Sequence, residues 1–214
     1  MKDIAIFGAG GFGKEVACLI KRINDTGGDW NLIGFFDDTK KIGELVSHYG
    51  TIIGGINELK RWGKPISIVI AVGSPNSILT IKEKINNQHV DYPNLIDPSF
   101  CIVDPESFKI GRGNIIQAGC SVSCDVVMGD FNVLNGDVAV GHNVEIGDYN
   151  VIMPAVRISG NVQIQEENLI GVGTIILQKI KIGKGVTLGA GSVLLTKPKD
   201  GNTYLGNPAK LFKY

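Results

Sequence analysis

The chain has 214 residues, with 21 basic and 21 acidic side chains, and each sign divides evenly between the two halves. That balance excludes a basic nucleic-acid arm, which needs clustered Lys and Arg. Hydrophobic residues at 43% exclude a disordered chain. No stretch approaches the ~18 apolar residues of a membrane helix. The run 4–7 is too short for a signal peptide. Four cysteines (Cys18, Cys101, Cys120, Cys124) form no CxxC and no set at metal spacing, so reduced cytoplasmic thiols and no metal are expected. Glycine, at 29 residues, is nearly twice its usual ~7% and points to many tight turns.

Residues 1–98 alternate between strand and helix patterns. A strand over 3–7 feeds Gly8-Ala9-Gly10-Gly11-Phe12-Gly13, and a helix over 14–23 follows with Val16, Leu19, Ile20 and Ile23 on one face. Strands are expected at 32–36, 51–53, 67–72 and 94–96, with helices at 56–62 and 77–87. This order implies a small Rossmann-like parallel sheet with crossovers. The glycine run fits G-x-G-x-x-G after a strand and before a helix, a pattern suited to phosphate at a helix N-terminus. The acidic residue a dinucleotide site usually places ~20 positions on finds Asp37 and Asp38, 24 and 25 past Gly13. A nicotinamide dinucleotide, another nucleotide, or a simple capping domain all remain open on these residues alone.

From Ile110 the period becomes six. Fifteen consecutive positions, from 110 to 194 in steps of six, are all aliphatic. Many are followed by Gly, and four residues after each comes a small or β-branched residue such as Cys120, Val126 or Thr174. Asn takes that small position at 114, 132, 150 and 168, eighteen apart. Eighteen is three sixes, so the expected form is a triangular coil of three short strands, stacked ~4.8 Å apart. Inward aliphatics would fill the prism, glycines would make its turns, and the Asn column would hydrogen-bond along the stack.

These hexapeptides resemble the left-handed parallel β-helix of the hexapeptide-repeat acyltransferases. The tail Tyr204-Leu205-Gly206-Asn207-Pro208-Ala209-Lys210 is similar to the G-x-P-A-K ending of that family. With the N-terminal glycine run and Phe36-Asp37-Asp38, the whole chain resembles the bacterial sugar N- and O-acetyltransferases of surface-glycan pathways, including the UDP-4-amino-sugar and sialic-acid types. The expectation is an α/β Rossmann-like nucleotide/sugar-binding domain over 1–98, then a left-handed β-helix acyltransferase domain with a short C-terminal tail over 99–214.

The resemblance implies acetyl-coenzyme A as co-substrate, a nucleotide-sugar acceptor and a homotrimer. His142 matches the place of the family's general base, and one coil on stands Gly160, whose N–H would hold the oxyanion. Asn143 stands where the amino-sugar enzymes have Glu, and Val151 where they have a second His; Asn143 can orient the ring but cannot raise its basicity by charge. For the acceptor, the resemblance implies Gly8, Gly10, Gly11, Phe12, Gly13, Asp37, Asp38, Gly73 and Asn135. For coenzyme A it implies Gly160, Val172, Ala190 and Pro208. A γ-type carbonic anhydrase would need three histidines per zinc, and the repeat holds only His142. A serine acetyltransferase would have a helical first domain. The remaining alternative is a scaffold that kept the prism and lost catalysis.

Overall fold

A computed structural model describes residues 1–213. The chain divides into two compact units, Met1–Pro98 and a second that begins at Ser99.

The first unit is an open parallel sheet. Its elements are β1 (Lys2–Phe7), α1 (Gly11–Asp25), β2 (Trp30–Phe36), β3 (Ile52–Gly54), α2 (Ile56–Lys60), β4 (Ile66–Ile70), α3 (Pro75–Lys84) and β5 (Val90–Asp91). The strand order is β3-β2-β1-β4-β5. Residues Ile4–Phe7 and Ile66–Ile70 are buried without a break, as expected for central strands covered on both faces. Helix α1 presents Val16, Ala17, Leu19 and Ile20 to the core. It begins inside the glycine run, three residues earlier than the apolar spacing predicts, because Gly11 and Gly13 carry no side chain and Phe12 alone sets no period. Short strand β5 goes unseen in the sequence, since two residues give no period.

The second unit is a left-handed parallel β-helix. Each coil contributes one two-residue strand to each of three parallel sheets. One face carries Cys101–Ile102, Ser121–Val122, Ala139–Val140, Arg157–Ile158, Ile175–Ile176 and Val193–Leu194. The next carries Lys109–Ile110, Val127–Met128, Glu145–Ile146, Gln163–Ile164 and Lys181–Ile182. The third includes Ile115–Ile116, Val133–Leu134, Val151–Ile152, Leu169–Ile170 and Thr187–Leu188. Strand partners are eighteen residues apart, as in Val133↔Val151. The aliphatic of every hexad from Ile116 to Leu194 is buried; Ile110, in the first of them, is partly open.

At one edge the prism core holds an Asn column with no solvent exposure. The Asn132 and Asn150 N–H groups donate to Asn114 Oδ1 (2.8 Å) and Asn132 Oδ1 (2.9 Å). The column continues through Asn168 N–H to Asn150 Oδ1 (3.0 Å) and Val186 N–H to Asn168 Oδ1 (2.7 Å). Each amide thereby serves a backbone donor that the turn would otherwise bury without a partner.

The glycines play the turn-making part expected of them only in some coils. The left-handed turn residue is the third after each aliphatic, with φ between 55° and 75° from Gly113 to Gly191. Five of these are glycine; the other nine include Phe131, Asn143, Tyr149 and Lys179. The glycine directly after the aliphatic instead makes room for the next coil. A Cβ on Gly141 would lie 2.8 Å from the Gly160 nitrogen, and one on Gly171 would lie 2.6 Å from that of Ala190.

After Leu194 the hexads end. Thr203–Leu205 still pairs in parallel with Thr187–Leu188, but sixteen residues on. It then turns back on Lys210–Leu211.

Candidate active site

In the first unit, β1 and β4 are neighbours whose following helices lead outward in opposite directions, to β2 and to β5. That is the switch point where open α/β sheets place ligands, beyond the carboxyl ends of the strands. Gly8 has φ +111°, and a Cβ on it would lie 2.6 Å from the Ala71 carbonyl oxygen. Only glycine lets the loop after β1 pass this close to the end of β4. Gly13 is buried, where a Cβ would strike the Gly8 carbonyl. Gly10, Gly11 and Gly73 have open space where a Cβ would project. Phe12 is half-buried in the first turn of α1. Gly10 caps that helix with no side-chain hydrogen bond, and no acidic residue stands in its first turn. Its N-terminal N–H groups therefore remain available to an anion.

The two aspartates after β2 have separate tasks. Asp37 accepts from Ala9 N–H through Oδ2 (2.8 Å) and from the Thr39 N–H and hydroxyl through Oδ1 (2.8 and 2.7 Å). Partial burial pushes this carboxyl up, but the bonds from Thr39 and Ala9 and the charge of Lys40 outweigh it and hold it below its ordinary value. Asp38 accepts from Ile56 N–H through Oδ1 (2.7 Å) and is exposed. Asp37 therefore ties the glycine loop to the end of β2, and Asp38 is the freer of the two.

In the second unit, His142 stands on the edge where Ala139–Val140 turns toward Glu145–Ile146. Its Nδ1 lies 2.9 Å from Asn143 Oδ1. An amide oxygen only accepts, so this contact places the proton on Nδ1 and leaves Nε2 as the basic nitrogen. The ring occupies the space above Gly160, whose Cβ, if present, would lie 2.5 Å from Nε2. The Gly160 N–H finds no acceptor among the described residues, whereas its carbonyl accepts from Lys179 N–H (3.1 Å). A basic nitrogen thus sits next to an uncommitted backbone donor on an exposed edge.

Asn135, Val172 and Ala190 lie on another edge, after the strands Val133–Leu134, Leu169–Ile170 and Thr187–Leu188. Asn135 is half-buried and donates from Nδ2 to the Ile152 carbonyl (3.2 Å). Val172 is 44% exposed. The N–H groups of Val172 and Ala190 also lack an acceptor among the described residues. On the third edge two of the corresponding N–H groups are engaged by aspartates. There Arg112 N–H donates to Asp130 Oδ1 (2.9 Å), and Asp130 N–H donates to Asp148 Oδ1 (2.7 Å). Pro208 is exposed in the tail. Among the described residues no group of His, Cys, Asp and Glu is arranged to hold a metal. All four cysteines are free, and no helix is long and apolar enough to cross a membrane.

Comparison with known proteins agrees with both units. The model of the PglD N-terminal domain matches residues 3–85. UDP-N-acetylbacillosamine N-acetyltransferase of Bacillus subtilis (strain 168) is 32% identical over 119 residues, 55% of this chain and 52% of that protein. The match thus spans about half the length of that curated relative. The acetyltransferase domain of PglB from Neisseria gonorrhoeae FA1090, solved in complex with acetyl coenzyme A, is 32% identical. It superposes with a TM-score of 0.87 over 99% of each chain. A perosamine N-acetyltransferase from Caulobacter crescentus, solved with CoA and GDP-perosamine, shares the fold: TM-score 0.86, 22% identity, over 100% of this chain and 98% of that one.

Proposed function

The chain belongs to the left-handed β-helix sugar acetyltransferases, and on that premise we propose that it moves the acetyl group of acetyl-coenzyme A to an amino or hydroxyl group of a nucleotide-linked sugar. The observation that carries this reading is the seating of His142 Nε2 against Gly160. The acceptor amine or hydroxyl donates its hydrogen bond to Nε2 and attacks the thioester carbonyl carbon. Nε2 takes the proton as the new bond forms. The carbonyl oxygen becomes an oxyanion held by the Gly160 N–H. The C–S bond then breaks, and the imidazolium returns the proton to the departing thiolate. No covalent enzyme intermediate is needed, and an amine acceptor must arrive neutral.

The first unit supplies the nucleotide end of the acceptor. The uncapped start of α1 suits a diphosphate, and the open space over Gly10, Gly11 and Gly73 gives it room. The exposed Asp38 suits a ribose or base contact. Asp37 acts through the loop it fixes.

His142 and Gly160 occupy one edge of the prism, and Asn135, Val172 and Ala190 another. A site that uses all five requires two copies of the chain, each giving one edge. Among the described residues both edges keep backbone donors uncommitted at Gly160, Val172 and Ala190. Repetition of one such contact around a threefold axis gives a closed homotrimer. The free thiols fit a cytoplasmic enzyme.

The test is calorimetric titration with acetyl-coenzyme A and, separately, UDP, followed by acetyl transfer to a panel of UDP-amino sugars. His142→Ala is expected to lower kcat by about 10²–10⁴ with little change in coenzyme A binding. A variant with full kcat removes His142 from the mechanism. Failure of the protein to bind either ligand favours a scaffold without catalysis.

A further inference from the structure

We propose that Lys181 and Lys197, with Lys179 beside them, hold the phosphate end of coenzyme A; this rests on the acetyl-coenzyme A reading above. A groove of about 590 Å³ runs along the prism face that adjoins the His142 edge, and Glu145, Gln163, Lys181 and Lys197 are among the residues that line it. The first three climb this face one coil at a time, in register, Glu145↔Gln163 and Gln163↔Lys181. Charge along this column therefore changes sign. Glu145 stands in the hexad next to His142, the neutral Gln163 in the one next to Gly160, and Lys181 a coil further on. Lys179 follows Gly160 by one coil on the same edge, and Lys197 lines the groove just after Val193–Leu194, the last strand of the adjoining face.

The state of these lysines separates them from ordinary surface charge. All three are exposed, and none has a carboxylate within ion-pair distance among the described residues. Their neighbour Lys184 is paired with Glu167 (2.9 Å) and Glu166 (3.7 Å). Of the groove's acids, Glu166 is thus engaged with Lys184. Glu145 accepts from Gln163 Nε2 (3.3 Å). Asp200 lies against Gly183. Three ammonium groups without an ion-pair contact, gathered at one end of the groove, repel one another. A polyanion relieves that repulsion and gains charge-assisted hydrogen bonds.

The direction follows from the reaction. With the thioester carbonyl on Gly160 N–H, the pantetheine arm must leave along the edge one way or the other. Toward the N-terminus it meets His142, where the acceptor has to stand, and the carboxylate of Glu145. Toward the C-terminus it meets Gln178 and then the lysines, with Lys179 and Lys181 in the next coil and Lys197 beyond them at the end of the groove. The diphosphate and 3′-phosphate therefore reach Lys179, Lys181 and Lys197, and the two substrates approach His142 from opposite ends of one edge.

The test compares wild type with Lys181→Ala/Lys197→Ala and with Lys181→Glu. Each is titrated with acetyl-coenzyme A, its 3′-dephospho analogue and UDP, at low and high salt. Wild type is expected to favour acetyl-coenzyme A over the dephospho form and to lose affinity with salt. The double variant should bind acetyl-coenzyme A about tenfold more weakly, with a flatter salt dependence, and the charge reversal should weaken it further. Unchanged affinity in both variants overturns the assignment. A loss confined to UDP also overturns it and gives the lysines to the acceptor nucleotide. If wild type itself binds no acetyl-coenzyme A, the acetyl-transfer reading has failed, and this assignment falls with it.

Discussion

The imidazole of His142 fills the space a side chain on residue 160 would need: a Cβ there would lie 2.5 Å from Nε2 and 2.6 Å from Cε1. The obstruction is the far end of a flexible side chain, so Gly160→Ala can be accommodated by rotation of the ring. The fold should survive, with a melting temperature within a few degrees of wild type. The base should not: a displacement on the order of 1 Å costs about 10²-fold in rate. Gly160→Ala is thus expected to lower kcat about 10–100-fold while acetyl-coenzyme A still binds. Steady-state kinetics and a thermal melt on the same preparation check both halves. Wild-type kcat would show that the ring is free to act from another position.

Most of the prism was legible in the sequence, because stacking repeats one environment many times. Asn114, Asn132, Asn150 and Asn168 meet the same geometry in successive coils, so one residue type recurs at a fixed interval. The turn residues were not legible. Phe131, Tyr149 and Lys179 adopt positive φ, a region these side chains rarely visit. Tertiary hydrogen bonds hold them there, such as Phe131 N–H to the Arg112 carbonyl (2.9 Å) and Lys179 N–H to that of Gly160 (3.1 Å). The first coil also escaped the count of six, since Cys101–Ile102 pairs twenty residues on with Ser121–Val122. At the site, His142 and Gly160 fall together from the eighteen-residue spacing alone. The task of Asp37 does not, because its partner Ala9 lies 28 residues away across a sheet.

Asn143 both turns the chain and holds the base. Its φ is +56°, and its Oδ1 accepts from His142 Nδ1 (2.9 Å). Asn and Asp tolerate this backbone region better than Ala. Asn143→Asp therefore keeps the turn and puts a negative charge beside the imidazole, which favours the protonated ring. The acid limb of the kcat/KM–pH profile should move to higher pH, since the added carboxylate stabilises the ring form that cannot accept a proton. Asn143→Ala should lower kcat without that displacement and destabilise the turn by roughly 1 kcal/mol. Superimposable profiles for wild type and Asn143→Asp would dissociate residue 143 from the base.

The Asn column makes a prediction about stability alone. Asn150 accepts from Asn168 through its N–H (3.0 Å) and its Nδ2 (2.9 Å), and donates to the Gln165 carbonyl (2.8 Å). The same hexad position holds Val at 126, 138, 144, 156 and 162, so Asn150→Val suits the space and isolates the lost hydrogen bonds. It strands the buried Asn168 N–H and the Gln165 carbonyl. The expected cost is about 2–4 kcal/mol, read as a lower urea midpoint in equilibrium unfolding. A midpoint equal to wild type would mean that packing alone holds the coils in register.

Asp37 links the nucleotide loop to pH. Its hydrogen bonds favour the ionised form, so its folded pKa lies below the ordinary 3.8. The stability it contributes is complete above the unfolded value and disappears as pH falls through the lower folded value. Asp37→Asn removes the charge and one acceptor oxygen, so Ala9 N–H and Thr39 can no longer both be served as now. At neutral pH the variant should be less stable by about 1–2 kcal/mol. The gap should close in acid, where wild type becomes protonated as well. UDP should also bind more weakly to the variant, because Ala9 lies in the turn that presents the start of α1. Thermal melts from pH 7 down to pH 3, paired with UDP titrations at pH 7, test the two effects together. A constant gap across that range would remove the carboxylate charge from the account. Unchanged UDP affinity would show that the loop keeps its shape without Asp37.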